Sequence, residues 1–337
     1  MKIFGKDISR ELAVIAEIGV NHEGSLDKAV DLLHEAAEAG ASAVKFQSFT
    51  PSKYVSAVEP ERLERVKKFC LDESAHDRLK SEADKAGVSF LSTAVSEDWV
   101  GKISELSDVI KISSGDLNFE PVIRSAARSG KIVILSVGLG TTEEIDQAVQ
   151  WFNDELGDVP IETRLILMHC VVAYPTPIEQ ANVLSVPFLR ERYGLVVGYS
   201  NHVIGPEACY AAVALGANLI EVHFTDQKEG RAFRDHALSF EPNDLRQLVK
   251  TATLIKSSLG KLGKIRVESE IPNIEPMRKG IVAKGNLASG TVLEERHISY
   301  ARPARGFLCT ETGLALGGRL KNDIAEGMPI GPDDLEG

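Results

Sequence analysis

The segment GLVVGYSNHVIGPEACYAAVALGANLIEVHF, residues 194–224, holds two short apolar runs on either side of a helical stretch. The runs GLVVGYS (194–200) and ANLIEVHF (217–224) read as buried strands. Strand, helix and strand in that order imply a right-handed crossover between parallel neighbours. Both runs finish in polar side chains. The first gives Ser200, Asn201 and His202, and the second gives Glu221 and His223. Polar endings on buried strands raise the question whether the two belong to one site.

The same unit recurs along the chain. Candidate strands are LAVIAEIG (12–19), SAVKFQSF (42–49), VSFLSTAV (88–95), DVIKISSG (108–115), KIVILSVG (131–138) and TRLILMHCVV (163–172), followed by the two runs above. Amphipathic stretches separate them. In SLDKAVDLLHEAAEAG the residues Leu26, Val30, Leu33 and Ala37 form a helical stripe, and Gly40 marks its stop. A helix is expected within 60–86, and a last one covers 242–259. Eight βα units over the first 260 residues fit a closed (β/α)8 TIM barrel better than an open dinucleotide-binding sheet. EIGVNHEGS after the first strand does not read GxGxxG. Residues 1–260 are therefore expected to form the barrel domain. Residues 261–278 are polar, carry two prolines and read as a linker. Residues 279–337 read as a small, mostly β domain, marginal alone and expected to dock on something.

Composition narrows the function. Charged residues are 26% and hydrophobic residues 43% of the 337, an ordinary globular mixture. A net charge of −11 argues against a nucleic-acid surface, so none is expected as a partner. It also means that an anionic substrate needs a few local cations. Cys70, Cys170, Cys209 and Cys309 lack zinc-ligand spacing, and Cys170 reads as a buried free thiol. The charged start MKIFGKDISREL and the absence of a long apolar run point to a cytoplasmic chain with no membrane partner.

In a barrel of this kind the active site lies at the C-terminal ends of the strands. The polar residues there are Glu17, Lys45, Gln47, Thr93, Lys111, Ser114, Asp116, Ser136, His169, Tyr174, Ser200, His202, Glu221 and His223, with Asn21, His22, Glu23 and Ser92 close by. Each has a plain reading alone. A strand lysine can snorkel or pair with a carboxylate, a strand histidine can be a hydrogen-bonded core residue, and strand-end hydroxyls often cap helices. Their collection at one end of nearly every strand points to a site. His202 and His223 end neighbouring strands about 4.8 Å apart, so both imidazoles can meet one divalent ion, with Glu17 as a third ligand or a ligand through water. Lys45 and Lys111, with Thr93, Ser114, Ser136 and Ser200, would form a cradle for phosphate and carboxylate.

The stretches AEIGVNHEGSLDKAVDLLHEAAEAGASAVKFQSF, IKISSGD, HCVVAYPTP, VGYSNHVIGPEACYAAVALGANLIEVHF and DHALSFEP together resemble the sialic acid synthase (N-acetylneuraminate synthase) family of nonulosonate synthases. RKGIVAKGNLASGTVL and RPARGF resemble that family's antifreeze-like (SAF) domain. The resemblance implies a condensation of phosphoenolpyruvate with an N-acylated mannosamine-type aldose, with release of phosphate. It implies a divalent metal, Mn²⁺ first, with Mg²⁺ or Co²⁺ as alternatives. It also implies a domain-swapped homodimer. On the matching motifs His202 and His223 are the metal ligands. Lys45, Thr93, Lys111, Ser114, Ser136 and Ser200 meet phosphoenolpyruvate. Glu17, Gln47, Tyr174 and Asp235 face the sugar or the catalytic water, and Arg302 reaches the partner's sugar site.

The chain departs from the family pattern at Asp116 (SGD for SGE), Val172 (for Asn or Ser) and Val95 (STAV for STPF). It also departs at Asn201, which puts no charge beside His202, and at Arg234, added near the sugar. These departures leave the aldose open among N-acetylmannosamine, its 6-phosphate and a diacetamido-trideoxy sugar such as the legionaminate precursor. Two further readings compete. One is a class I aldolase with a Schiff base on Lys45 or Lys111, and the other is a non-catalytic sugar-binding homologue.

Overall fold

In the computed structural model, which describes residues 1–231 and 233–336, the chain forms two compact units, Met1–Gly260 and Lys261–Gly337. The first is a closed barrel of eight parallel strands. They are β1 (Ala13–Gly19), β2 (Ala43–Ser48), β3 (Ser89–Ala94), β4 (Val109–Ile112), β5 (Ile132–Ser136), β6 (Leu165–His169), β7 (Val196–Asn201) and β8 (Leu219–His223). Each pairs with the next, and β8 closes on β1 with His223 opposite Glu17.

The helices follow their strands. They are α1 (Leu26–Glu38), α2 (Pro60–Phe69), α3 (Glu73–Ala86), α4 (Trp99–Leu106), α5 (Glu120–Arg128), α6 (Thr142–Asp154), α7 (Ser185–Tyr193), α8 (Glu207–Ala214) and α9 (Pro242–Ser258). The single helix expected within 60–86 is two, because Cys70 is extended and Asp72 starts a new helix by accepting from the Ala75 amide. Among the described residues no helix is long and apolar enough to cross a membrane.

Strand alternation separates two cores. Ala13, Ile15, Ala43, Leu91, Val109, Ile134, Ile166, Met168 and Leu219 fill the lower barrel interior. Their neighbours, such as Val14, Ala16, Val44, Ile110, Val133, Leu167 and Ile220, pack outward against the helices. A short antiparallel hairpin, Lys2–Ile3 with Lys6–Asp7, places Ile3 and Ile8 in the interior cluster and plugs the N-terminal end. The inward set changes chemistry as each strand rises. Ala13 and Ile15 give way to Glu17, Ala43 to Lys45 and Gln47, Leu91 to Thr93, Val109 to Lys111, Ile134 to Ser136, and Leu219 to Glu221 and His223.

The second unit has its own core, including Ile281, Leu287, Leu293, Phe307, Leu320 and Ile330. Gly280–Ala283 and Ile298–Ala301 form an antiparallel pair, β9 and β10. Most of its other pairing is isolated bridges such as Leu287–Ile324 and Val292–Arg319. Residues 268–277 hold a 3₁₀ turn and one helical turn.

Gly198 occupies the inward position of β7 between Val196 and Ser200. A Cβ there would stand 2.9 Å from Met168 Cε and 3.0 Å from both the Cβ and the carbonyl oxygen of Leu219. Strand propensity alone would favour a β-branched residue at this position. Overpacking should win. Gly198→Val is expected to destabilise the barrel by about 2–3 kcal/mol, measured by urea unfolding. An unchanged or raised midpoint would contradict the packing argument.

Candidate active site

The C-terminal mouth of the barrel opens into a cavity of about 1180 Å³. Glu17, Lys45, Gln47, Thr93, Lys111, Ser114, Asp116, Ser136, Tyr174, Ser200, His202, His223 and Asp235 all line it. Arg302 belongs to the second unit, where it is exposed just after β10. The alternation that fills the barrel floor with aliphatic residues thus delivers the polar set to its top.

Two lysines and two glutamates form a buried chain of charge on the cavity floor. Lys45 Nζ lies 2.7 Å from Glu17 Oε2 and 3.6 Å from Glu221 Oε1, and Lys111 Nζ lies 3.6 Å from the same Glu221 oxygen. The Lys45–Glu17 contact is an ion pair without hydrogen-bond alignment at Oε2. Lys45 also donates to Thr93 Oγ1 at 3.0 Å, Gln47 Nε2 to Glu17 Oε1 at 3.2 Å, and Ser200 Oγ to Glu221 Oε1 at 3.0 Å. Burial raises the Glu17 carboxyl above its usual range, and the nearby Glu221 charge adds to this while Lys45 opposes it. Burial would push Glu221 up as well, but Lys111 and Lys45 outweigh it and hold this carboxyl down at about 2. Burial alone would lower Lys45, yet Glu17 and Glu221 raise it. Burial does lower Lys111, against the pull of Glu221.

The two histidines share one wall. The rings of His202 and His223 are 5.4 Å apart between centroids, and Tyr174 lies 4.2 Å and 5.9 Å from them. Burial and the neighbouring His223 lower His202 to about 4, and burial lowers His223 too, so both are neutral imidazoles near pH 7. His202 Nδ1 sits 2.6 Å from the Val171 carbonyl oxygen, which assigns it the proton and leaves Nε2 with a lone pair. Two neutral imidazoles, one oriented through its second nitrogen, fit a divalent transition ion. Among the described residues no cluster of three or more His, Cys, Asp or Glu could hold a metal.

A second wall presents close-packed hydroxyls and backbone. Ser136 Oγ is buried with no hydrogen-bond partner. Ser114 Oγ accepts from the Gly138 amide at 2.9 Å and meets Cys170 Sγ at 2.9 Å. A Cβ on Gly138 would fall 2.7 Å from Cys170 Sγ and 2.8 Å from Ser114 Oγ, so only glycine lets this loop come so close. Cys170 is a buried free thiol, as expected, and it also lines the cavity.

Several strand-end residues turn away from the cavity by parity. Asn201 lies on the outward side of β7. It accepts from Tyr199 Oη at 3.1 Å and donates to the Val203 carbonyl at 2.8 Å. It braces the turn after β7 and does not face the cavity beside His202. His169 points outward to the Ala181 carbonyl at 3.0 Å, and Ser92 outward to Ser48 at 2.6 Å. Of the other departures, Asp116, Val172, Val95 and Arg234 do line the cavity. Asp116 accepts from Ser113 Oγ, and burial raises its carboxyl.

Sequence reasoning gave no role to Glu221, which proves central, nor to the residues that α2 carries to the mouth. Arg62, Arg65, Val66 and Phe69 line the cavity there. Phe49, Val55, Val66 and Val95 form a separate apolar cluster that seats α2. Arg62 pairs with Glu59 at 3.1 Å, while Arg234 stacks 4.6 Å from the Tyr174 ring centre and pairs with Asp235 at 2.9 Å.

Comparison with known proteins places the chain among relatives of the same fold. The NeuB family matches residues 32–264, and the SAF domain matches residues 278–336. An uncharacterised protein of Methanocaldococcus jannaschii is 38% identical over 96% of this chain and 94% of its own length. The N,N'-diacetyllegionaminic acid synthase of Campylobacter jejuni is 35% identical over 88% of this chain and 92% of its own. The crystal structure of N-acetylneuraminic acid (sialic acid) synthetase from Leptospira borgpetersenii superposes with a TM-score of 0.74 at 32% identity, covering 79% of this chain and 90% of that one. The two family models cover most of the barrel and the C-terminal unit, and the chain belongs to the NeuB family of nonulosonate synthases, with a SAF domain after its barrel.

Proposed function

We propose that this enzyme condenses phosphoenolpyruvate with an N-acylmannosamine-type aldose and releases phosphate. The observation that carries the reading is the cavity floor, where two buried lysines and unpartnered Ser136 face two neutral imidazoles across one space. Lys45, Lys111, Thr93, Ser114, Ser136 and Ser200 bind the phosphate and carboxylate of phosphoenolpyruvate in a dry site, where their charge is little screened. A divalent ion on His202 and His223, Mn²⁺ in the first instance, would supply Lewis acidity toward the aldehyde oxygen of the open-chain sugar. The methylene carbon of phosphoenolpyruvate bonds to the aldehyde carbon as the aldehyde π pair moves to its oxygen, which takes a proton and becomes a hydroxyl. Water adds at the electron-poor enol carbon and loses a proton. That carbon re-forms a carbonyl, losing a second proton, as its C–O bond to phosphate breaks. Glu17, raised by burial and held by Gln47, takes a proton from that water in this scheme. Asp235 and Tyr174 orient the sugar. Arg302 completes the sugar pocket from the other subunit of a domain-swapped homodimer.

A second reading of the sugar is favoured by the wall of Phe49, Val66, Phe69 and Val95. An apolar wall suits a diacetamido-trideoxy hexose, which has a methyl where N-acetylmannosamine has a hydroxymethyl group. The Campylobacter relative bears the corresponding synthase name. A Schiff-base aldolase is disfavoured at Lys45, because Glu17 and Glu221 hold that amine protonated.

Three outcomes test these assignments. Phosphate release from phosphoenolpyruvate and Mn²⁺ should occur with at least one of N-acetylmannosamine, its 6-phosphate and the diacetamido-trideoxy sugar. Release with none of them, or borohydride trapping of a lysine adduct, would sink the reading. EDTA should abolish activity, and His202→Ala should lower kcat/KM by about 100-fold or more. Full EDTA-resistant activity in that variant would remove the metal role. Arg302→Ala should raise the KM for the sugar by about ten-fold while metal affinity stays unchanged. Equal kinetics would remove the subunit-swapped pocket.

A further inference from the structure

Glu221 has no task in the scheme above, yet it touches more of the anion cradle than any other residue. Its Oε1 receives Ser200 Oγ at 3.0 Å and lies 3.6 Å from both Lys45 Nζ and Lys111 Nζ. All three are donors assigned to phosphoenolpyruvate. Three donors from β2, β4 and β7 converge on one carboxylate oxygen as they would on an oxygen of a bound anion. The other oxygen, Oε2, is buried without any hydrogen-bond partner. A structural carboxylate, buried for stability alone, is expected to have both oxygens satisfied. Lys45 has a second counter-ion in Glu17, whereas Lys111 has an ion pair only to Glu221 among the described residues.

We propose that Glu221 is a displaceable counter-anion, which holds the cradle's donors in the ligand-free enzyme and yields them to the substrate's anionic group. The inference rests on the proposed reading of the cradle as the phosphoenolpyruvate site. Two buried lysines without a counter-charge would carry a large desolvation cost, and Glu221 offsets it while the site is empty. An incoming anion must take Ser200, Lys45 and Lys111 from Glu221. When phosphate is released, the carboxylate recovers them and opposes rebinding. Glu221 therefore lowers anion affinity and speeds anion release. A residue that merely braced the lysines would have the opposite sign, because its loss would weaken binding.

The test is titration of inorganic phosphate into the full-length protein by calorimetry. Glu221→Gln preserves volume and removes the charge. Phosphate Kd in that variant should fall by on the order of ten-fold, the scale of one partly screened charge at close range. Steady-state phosphate inhibition should tighten in parallel, with a lower kcat. Glu221→Asp keeps the charge but retracts it by one methylene, and should bind phosphate at an intermediate strength. This second variant decides the matter if Glu221→Gln does not fold. Binding that is unchanged or weaker than wild type in the folded variants would overturn the proposal. Failure of the wild type to bind phosphate at all would instead overturn the cradle reading, and this proposal with it.

Discussion

Four charged side chains, Glu17, Lys45, Lys111 and Glu221, lie nearly sealed from solvent at the top of the barrel interior. Removing charges from water is expensive, and removing one partner of such a set leaves another uncompensated. The set persists because the barrel imposes it. The adjacent strands β8, β1 and β2 carry three of them and β4 the fourth, all at inward positions of a closed ring, so their side chains meet in its interior. The pairings hold the lysines in place, and burial keeps both imidazoles neutral. The site's chemistry follows from charges that are balanced inside a low-dielectric space.

The aliphatic floor and the outer shell of helices serve this arrangement. Most inward positions below the charges are aliphatic, and most apolar outward positions pack on the helices. The floor excludes water and fixes strand register, while the helices fix strand tilt. Gly198 belongs to the same design, since any larger side chain there would push against β6 and β8, which carry Met168 and Leu219.

Much of this was legible in the sequence, for a reason that also explains the failures. Strand alternation continues past the apolar run, so Lys45, Lys111, Ser200, His202 and His223 could be assigned from position alone. Strict attention to that parity would have turned Asn201 away from the cavity, since it sits between Ser200 and His202. Glu221 shares the parity of His223 but not its company. Its partners come from β2, β4 and β7, and two of those three strands are not its neighbours in the sheet. Convergence across a barrel is a property of closure, which no single strand displays. The α2 residues Arg62, Arg65, Val66 and Phe69 were out of reach for a different reason. They lie on an excursion between β2 and α3 whose seat is the small cluster of Phe49, Val55, Val66 and Val95. Nothing in the helix itself says which way that seat faces.

The N-terminal hairpin with Ile3 and Ile8 closes the far end of the barrel. With the aliphatic layer beneath the lysines, the described residues leave the cavity no outlet through that pole. Under the proposed reading, the reactant seated on the lysine floor must enter before the one that covers it. Whatever is left on that floor must wait for the upper occupant to depart or must slip past it. On that reading, aliphatic residues at the opposite pole of the domain set a queue at the mouth.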